Sequence, residues 1–281
     1  MPYAFLLPAL IGLLIFRIVP TFYAVGRSLY ATTFGLNPQT VFVDGDNYLG
    51  LVTDPTFWQS VRVTLLFNVI INPLQTVLAL ILAVLVSMKL RGIGLFRSII
   101  FMPISVSLPV ASIVWAMMLD AQSGLVNGIL VWAGLPAQSF LASPTEAMPS
   151  IILIASWIGV GYWMFFFLAG LQGIPPTLYE AAAIDGASAR AAFFHITLPL
   201  RRRVIAFVLV ADTTANFLLF APVYVLTRGG PQGATDFLMY EAYRSGFMSL
   251  DVGRATSITT ILLAALLLVV GIELLLLRRH E

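Results

Sequence analysis

Side chains that could perform chemistry on a substrate are scarce in this 281-residue sequence. It contains two histidines, His195 and His280, and no cysteine. It therefore offers no thiolate nucleophile and no ligand spacing typical of a zinc site. The phosphate-binding pattern G-x-x-x-x-G-K-[ST] does not occur, and the turn at Gly229–Gly230 has no lysine after it. The sequence thus predicts no catalytic residue, no metal site and no nucleotide site.

Residues 177–199, TLYEAAAIDGASARAAFFHITLP, combine charged and small side chains and differ from the apolar sequence around them. The prolines at 175–176 end any preceding helix. Thr177 stands three residues before Glu180, which is the spacing of a capping box. Gly186 weakens a helix and predicts a bend or a close approach to another surface. We therefore predict a pair of short helices whose small residues leave room for a bulkier partner.

The composition places these residues in a membrane protein. Hydrophobic residues make up 59% of the chain, charged residues 10%, and the mean hydropathy is +0.96. A soluble domain carries about 25% charged residues, so this chain belongs in a bilayer, and its spans must be helical because lipid offers no partners for backbone groups. The sequence predicts an all-α protein with six spans, in which prolines such as Pro103, Pro109 and Pro222 cause kinks rather than breaks. The predicted spans lie near 4–29, 61–88, 98–119, 149–171, 203–226 and 255–277.

Basic residues predict the orientation of these spans. Lysine and arginine flank the second connection at 89–97, recur in the fourth at 190–203, and follow the last span at 278–279. We expect these positions, and both chain termini, to be cytoplasmic. The formal net charge of +2 is spread along the chain, so we expect no nucleic-acid partner. The opposite connections hold turn residues and aromatics, and they either dock an external partner or only cap the bundle.

Polar groups inside the predicted spans are the best pointers to a transport path. Asp212 and Asn216 are four residues apart and share one helix face. An alternative is that Asp212 pairs with another intramembrane group such as Arg17, because buried charges are normally paired. Tyr162 could stack on a sugar ring while its hydroxyl donates a hydrogen bond. The other polar or small candidates are Gly159, Asn72 and Gln75.

The segment 177–199 resembles a known family. Glu180-Ala181-Ala182, three residues, Gly186, nine residues and Ile196-Thr197-Leu198-Pro199 match the motif EAA-x3-G-x9-I-x-LP of permease subunits in binding-protein-dependent ABC importers. The likeness extends over about residues 4–277, including RGIGLFRSIIFMP and YVLTRGGPQGATDFLMYEAYRSGF. The last stretch is similar to the carbohydrate-uptake permeases, which include the first maltose and first glycerol-3-phosphate permeases. Asp212 departs from the commoner pattern of that group.

This resemblance implies a maltose-permease-like, type I fold in which 177–199 forms coupling helices that sit in a cleft of a cytoplasmic ATPase dimer. ATP and Mg would bind to that ATPase, and this chain would hold no cofactor. The other implied partners are a second, homologous permease, an extracytoplasmic solute-binding protein, a sugar and membrane lipid. The implied location is the bacterial plasma (inner) membrane. The residues implied for coupling are Glu180, Ala181, Ala182, Asp185, Gly186, Ala187 and Arg190.

The same resemblance assigns a substrate path on spans three to five. The preferred substrate is a neutral or amine-bearing sugar. Glycerol-3-phosphate and a glycerophosphodiester remain as alternatives. Spans three to five contain no arginine or lysine to bind a phosphate at mid-membrane, and Asp212 would repel it, which favours the sugar. A different class of transporter, an ion-coupled carrier, is a further alternative, but the chain shows none of the inverted repeats typical of that class. The path positions are Ile158, Gly159, Tyr162, Asp212, Ala215, Asn216, Ile104 and Leu108.

Overall fold

The computed structural model describes residues 2–33, 39–88 and 91–278, and most of them are helical. A hairpin of two antiparallel strands, β1 (Tyr30–Thr33) and β2 (Gln39–Phe42), follows the second helix. The α-helices are, in chain order, α1 (Pro2–Leu13), α2 (Val19–Arg27), α3 (Asp46–Val52), α4 (Pro55–Ser87), α5 (Ile93–Phe101), α6 (Leu108–Met118), α7 (Leu125–Trp132), α8 (Ala147–Leu171), α9 (Pro176–Ile184), α10 (Ala189–Ala192), α11 (Leu198–Leu200), α12 (Arg202–Phe217), α13 (Leu238–Tyr243) and α14 (Val252–Arg278). Wider π turns cover Leu14–Ile18, Phe193–Thr197, Val223–Thr227 and Arg244–Met248, and 3₁₀ turns cover Met102–Ser105 and Phe140–Ala142.

Long apolar helices make this a multi-pass membrane protein. Within the described ranges, four helical stretches are long and apolar enough to cross a bilayer: Phe5–Arg27, Pro55–Ser87, Ala147–Leu171 and Val252–Leu276. A fifth span results if the bent pair Ile93–Ser105 and Leu108–Met118 is counted as one. The mostly helical character agrees with the composition, although the hairpin β1–β2 departs from a purely all-α chain, and the full set of six spans stays a prediction.

The stretch predicted as a span at 98–119 is not one kinked helix. Its two halves meet at an angle of 100°, and Val106 and Ser107 between them are extended. Pro109 lies in the first turn of α6, where its ring would clash with the carbonyl of a continuous helix four residues earlier. The expectation that prolines would cause kinks rather than breaks was therefore wrong here, because Pro103 and Pro109 both lack the amide hydrogen that a continuous helix needs at those positions.

The stretch predicted as a span at 203–226 is interrupted as well. Helix α12 has 16 residues and ends at Phe217. The chain then turns before Pro222 and continues as the π turn Val223–Thr227. In an unbroken helix the ring of Pro222 would clash with the carbonyl of Leu218, so the helix ends before this proline. Asp212 and Asn216 thus occupy the last two turns of a short helix.

The chain divides into two compact units. One unit covers Met1–Thr64 and Asp236–Leu266, and the other covers Leu65–Thr235 and Leu267–Glu281. The core of the second unit is built from α4, α8 and α12, with small residues on α4 facing large ones on α8. Gly161 allows α8 to approach α5 closely, because a side chain there would meet the carbonyl oxygen of Ile100. The buried residues of this core are Ala79, Ala83, Val86, Val160, Trp163, Met164, Phe167, Leu168 and Val208.

An ion network joins the ends of α4, α13 and α14 in the first unit. Arg254 donates to Asp54 at 2.5 Å and to Glu241 at 2.9 Å. Arg244 donates to the other oxygen of Glu241 and, at 3.1 Å, to Asp236. Glu241 is only 3% exposed and is therefore hardly hydrated. The two guanidinium groups balance its charge instead. The network therefore fixes the ends of three helices to one another.

Replacing Arg254 with alanine is expected to destabilise this unit. Glu241 would keep a single basic partner, and Asp54 would lose its ion pair. A hydrogen bond to a charged group is worth about 1.5–3 kcal/mol, and we expect a loss at the lower end of that range because Arg254 is partly solvated. The measurement is the midpoint temperature of thermal unfolding. The control is Arg62→Ala on α4, whose side chain is exposed; an equal drop for both variants would contradict the role of the network.

The stability of the first unit is also expected to depend on pH through Asp236. Burial raises the pKa of the Asp236 carboxyl from 3.8 to about 6; Arg244 opposes this rise in pKa and Glu241 adds to it. Between these two values the folded chain binds more protons than the unfolded chain, so stability falls as pH rises from about 4 to above 6. Asp236→Asn should flatten this part of the midpoint-versus-pH curve. An unchanged slope in that variant would assign the dependence to other groups.

Candidate functional site

The predicted coupling segment begins differently from its sequence expectation. Helix α9 starts at Pro176 with Pro175 as its N-cap residue, and no side chain caps it. The capping box predicted for Thr177 and Glu180 is therefore wrong. Proline with its fixed φ is favourable in the first helical turn, and this moves the start of the helix one residue ahead of Thr177. Glu180 is thus free of a capping role and is exposed to solvent.

Gly186 forms the turn between the two short helices. Its φ is +78°, in the left-handed region. The amides of Gly186 and Ala187 donate to the carbonyls of Ala183 and Ala182, at 3.1 and 2.8 Å, which is the glycine-dependent closure of a helix C-terminus. A side chain at Gly186 would meet no other atom within 4 Å. Glycine is therefore required by the backbone conformation rather than by lack of space.

The second helix of the segment starts at a cap that the sequence analysis missed. The Ser188 hydroxyl accepts from the amide of Ala191 at 3.2 Å, which is the usual role of serine before a helix. The guanidinium of Arg190 lies 6.0 Å from the centre of the Phe194 ring, within cation–π range. A hydrogen bond of 2.8 Å between the hydroxyls of Tyr179 and Thr197 ties the two helices together.

The predicted coupling segment presents its candidate residues to solvent. Ile184 is 87% exposed and Phe194 is 51% exposed. Large apolar side chains at such exposure, between charged residues, are typical of a surface that a partner covers. Ala182 is half-buried, and the other residues predicted for coupling are exposed, namely Glu180, Ala181, Asp185, Gly186, Ala187 and Arg190.

A polar cluster fills the space between α4, α8, α12 and α14 in the second unit. The Asn216 amide donates to Asp212 Oδ1 at 2.9 Å, to Asn72 Oδ1 at 2.8 Å and to Gln75 Oε1 at 3.2 Å. Gln75 in turn donates to the Ser156 hydroxyl at 3.4 Å. The predicted polar residues of α4 and α12 therefore meet in one network, which also includes Ser156 on α8.

The network continues to the last helix through Thr213. The Asn72 amide donates to the Thr213 hydroxyl at 3.0 Å, and that hydroxyl donates to Glu273 Oε1 at 2.8 Å. Asp212 is 1% exposed. Its second oxygen, Oδ2, and Glu273 Oε2 are buried and have no hydrogen-bond partner in the part of the chain that the structure describes. The cluster thus holds two carboxyl groups and more acceptors than donors.

The remaining path candidates take no part in the hydrogen bonds of this cluster. Gly159 lets α8 approach Gln75, because a side chain there would come within 2.8 Å of the Gln75 amide. Tyr162 packs edge-on against Trp163 and Phe166 and is 39% exposed. The other candidates are the half-buried Ile158 on α8, the exposed Ala215 on α12, and Ile104 and Leu108, which are half-buried on either side of the bend before α6. Their assignment to a substrate path stays a prediction.

Sequence reasoning missed several members of the polar cluster. Thr213 and Ser156 gave no signal, since single hydroxyls are common in membrane helices and bond to their own backbone. Glu273 could have been found, because an acid inside an apolar span is a pointer to function by itself. Among the described residues there is no group of three or more histidine, cysteine or acidic side chains that could hold a metal ion.

Comparison with known proteins gives matches over most of the chain. Residues 49–280 match the family described as the binding-protein-dependent transport system inner membrane component. The probable ABC transporter permease YurN of Bacillus subtilis is 35% identical, over 93% of this chain and 90% of that protein. The sn-glycerol-3-phosphate permease UgpA of Brucella suis is 34% identical over 94% and 90%. The trehalose/maltose permease MalF of Thermococcus litoralis is 35% identical over 93% and 88%.

Solved structures share the fold of the chain. A bacterial ABC transporter involved in import of the acidic polysaccharide alginate superimposes with a TM-score of 0.85 and 24% identity, over 99% of this chain and 94% of that one. The alginate transporter in complex with a pentasaccharide-bound periplasmic protein gives a TM-score of 0.82 over 96% and 91%. An amino acid ABC transporter is more distant, with a TM-score of 0.55 and 17% identity.

Proposed function

The chain belongs to the family of inner-membrane components of binding-protein-dependent transport systems, and we propose that it translocates a sugar delivered by an external binding protein. In this proposal it forms one half of a permease with a second, homologous subunit. ATP is hydrolysed, with Mg, on a separate cytoplasmic ATPase dimer, and this chain holds no cofactor. Both termini and the segment 177–199 lie on the cytoplasmic side of the bacterial inner membrane.

The exposed coupling segment is the observation that carries this proposal. The segment has the family motif, it closes at a left-handed glycine, and it presents Ile184 and Phe194 to solvent beside charged residues. A surface of this composition would be costly to leave in water and is suited to a partner cleft. Its tie between Tyr179 and Thr197 keeps the two short helices in one rigid piece, which is what transmission of motion from an ATPase requires.

The polar cluster favours a sugar over an anion as the substrate. Its amide and hydroxyl groups can exchange hydrogen bonds with sugar hydroxyls, which are costly to desolvate without partners. Neither Asp212 nor Glu273 has a basic partner among the described residues, so the cluster offers no cationic side chain that would hold a phosphate. The second candidate, glycerol-3-phosphate, rests on the name of the 34%-identical Brucella suis relative.

Reconstitution of the complete transporter tests the proposed function. The complex of this chain with its second permease and ATPase is placed in liposomes, and its binding protein is added outside. We expect uptake of a labelled disaccharide of the maltose or trehalose type that requires both ATP inside and the binding protein, and that persists when ion gradients are collapsed. Uptake of glycerol-3-phosphate alone would establish the second candidate. Uptake driven by an ion gradient without ATP would refute the importer.

A further inference from the structure

The two carboxyl groups of the polar cluster have a charge that nothing else in the described chain balances. Asp212 and Glu273 come from different helices, and their partners in the described part of the chain are all uncharged: Asn216 and Trp163 for Asp212, and Thr213 for Glu273. Glu273 lies inside the candidate span Val252–Leu276, and Asp212 is 1% exposed. Ionised groups in such a setting are normally paired. By contrast, Asp54, Asp236 and Glu241 in the other unit each have an arginine partner.

The free oxygens mark where a compensating group would bind. Asp212 Oδ2 is buried without a partner although its companion Oδ1 accepts from Asn216. Glu273 Oε2 is likewise buried without a hydrogen-bond partner. The carbonyl oxygens of Asn72 and Gln75 each accept one hydrogen bond from Asn216, and each retains a second lone pair. The unpartnered atoms of the cluster are therefore carboxylate oxygens, which is the ligand type that hard cations and protons prefer.

We propose that this cluster binds one small monovalent cation, a proton or Na⁺, at Asp212 and Glu273. The cation balances the charge of the two carboxyls and holds α4, α12 and α14 in the packing seen in the structure. A divalent metal ion fits less well, because the cluster has only two carboxylates and the described chain has no group of three metal-ligating side chains. Binding of this cation is independent of the sugar, and its role is to stabilise the permease.

Thermal unfolding of the purified complex tests the site without measuring transport. The midpoint temperature is recorded at alkaline pH in choline chloride and in NaCl of equal ionic strength, and then in choline chloride at acidic pH. For the wild-type complex we expect a rise of about 3 °C or more with NaCl if the cation is Na⁺, or with acidification alone if it is a proton. The double variant Asp212→Asn, Glu273→Gln keeps the shape of both side chains and removes their charge, so it should lose this response.

Two controls separate this site from other acids. Asp120→Asn removes an exposed carboxyl from a surface turn and should keep the full response. Asp236→Asn should also keep the response to NaCl, since Asp236 has its own arginine partner. Because Asp236 itself stabilises the chain at acidic pH, the response to acid is compared between complexes that all carry Asp236→Asn, with and without the double substitution. An Asp236→Asn complex whose midpoint changes with neither NaCl nor pH would overturn the proposal. So would a double variant that responds like the wild type, or a wild-type response to divalent salts only.

Discussion

Replacing Gly186 with valine is expected to lower ATP-dependent uptake at least tenfold, either by uncoupling ATP hydrolysis from transport or by releasing the ATPase. Gly186 has a φ of +78°. A left-handed conformation costs an L-residue about 1–2 kcal/mol, and a β-branched residue tolerates it least. Valine would therefore open the turn between α9 and α10 and displace the exposed surface formed by Ile184 and Phe194. The measurements are uptake, ATPase activity and retention of the ATPase during purification.

Gly134 provides a matched control for this prediction. It closes the end of α7 with a φ of +76°, and a side chain there would also meet nothing within 4 Å. Gly134→Val thus imposes a similar backbone strain outside the coupling segment, and it should leave the coupling of ATP hydrolysis intact. Glu180→Lys is a second probe, because it reverses an exposed charge without straining the backbone. Normal uptake and assembly in both Gly186→Val and Glu180→Lys would remove the coupling role of this segment.

Alanine at Asp212 or Asn216 is expected to lower uptake about 5- to 150-fold while the complex still assembles with its ATPase. The two amide hydrogens of Asn216 are shared among Asp212, Asn72 and Gln75, so Asn216→Ala removes the common donor of three buried acceptors. A buried group without its partner costs about 1–3 kcal/mol, which corresponds to that range of rates. Asp212→Ala removes the acceptor that would bond to a sugar hydroxyl or amine. Uptake and the yield of the purified complex are measured together.

The control for this pair is Thr214→Ala on the same helix. The Thr214 hydroxyl bonds to the carbonyl of Val210 in its own helix at 2.8 Å, so its removal should change neither quantity by more than about twofold. Full uptake by the Asp212→Ala complex would contradict the assignment of Asp212 to the substrate path. Arg17 is exposed and forms no ion pair with Asp212, so loss of the complex would show that Asp212 is structural through its other contacts.

The sequence was sufficient for the properties that depend on composition and on local motifs. An apolar content of 59% requires a bilayer whatever the tertiary arrangement, because too few polar residues exist to cover a surface in water. The motif around Gly186 was equally informative, since the left-handed turn is a local preference of glycine. Asp212 and Asn216 were found together because the spacing of four on a helix is also local.

Only the tertiary structure decided which groups meet in the polar cluster and where the helices break. Glu273 bonds to Thr213, 60 positions away, and no local pattern connects the two. Asn72 and Gln75 were weak candidates until the packing of α4 against α12 brought them to Asn216. Proline allows either a kink or a break, and the choice at Pro109 depends on whether neighbouring helices can accept a bend of 100°. Contacts between distant residues depend on how whole helices pack together. The sequence of any one helix does not determine that packing.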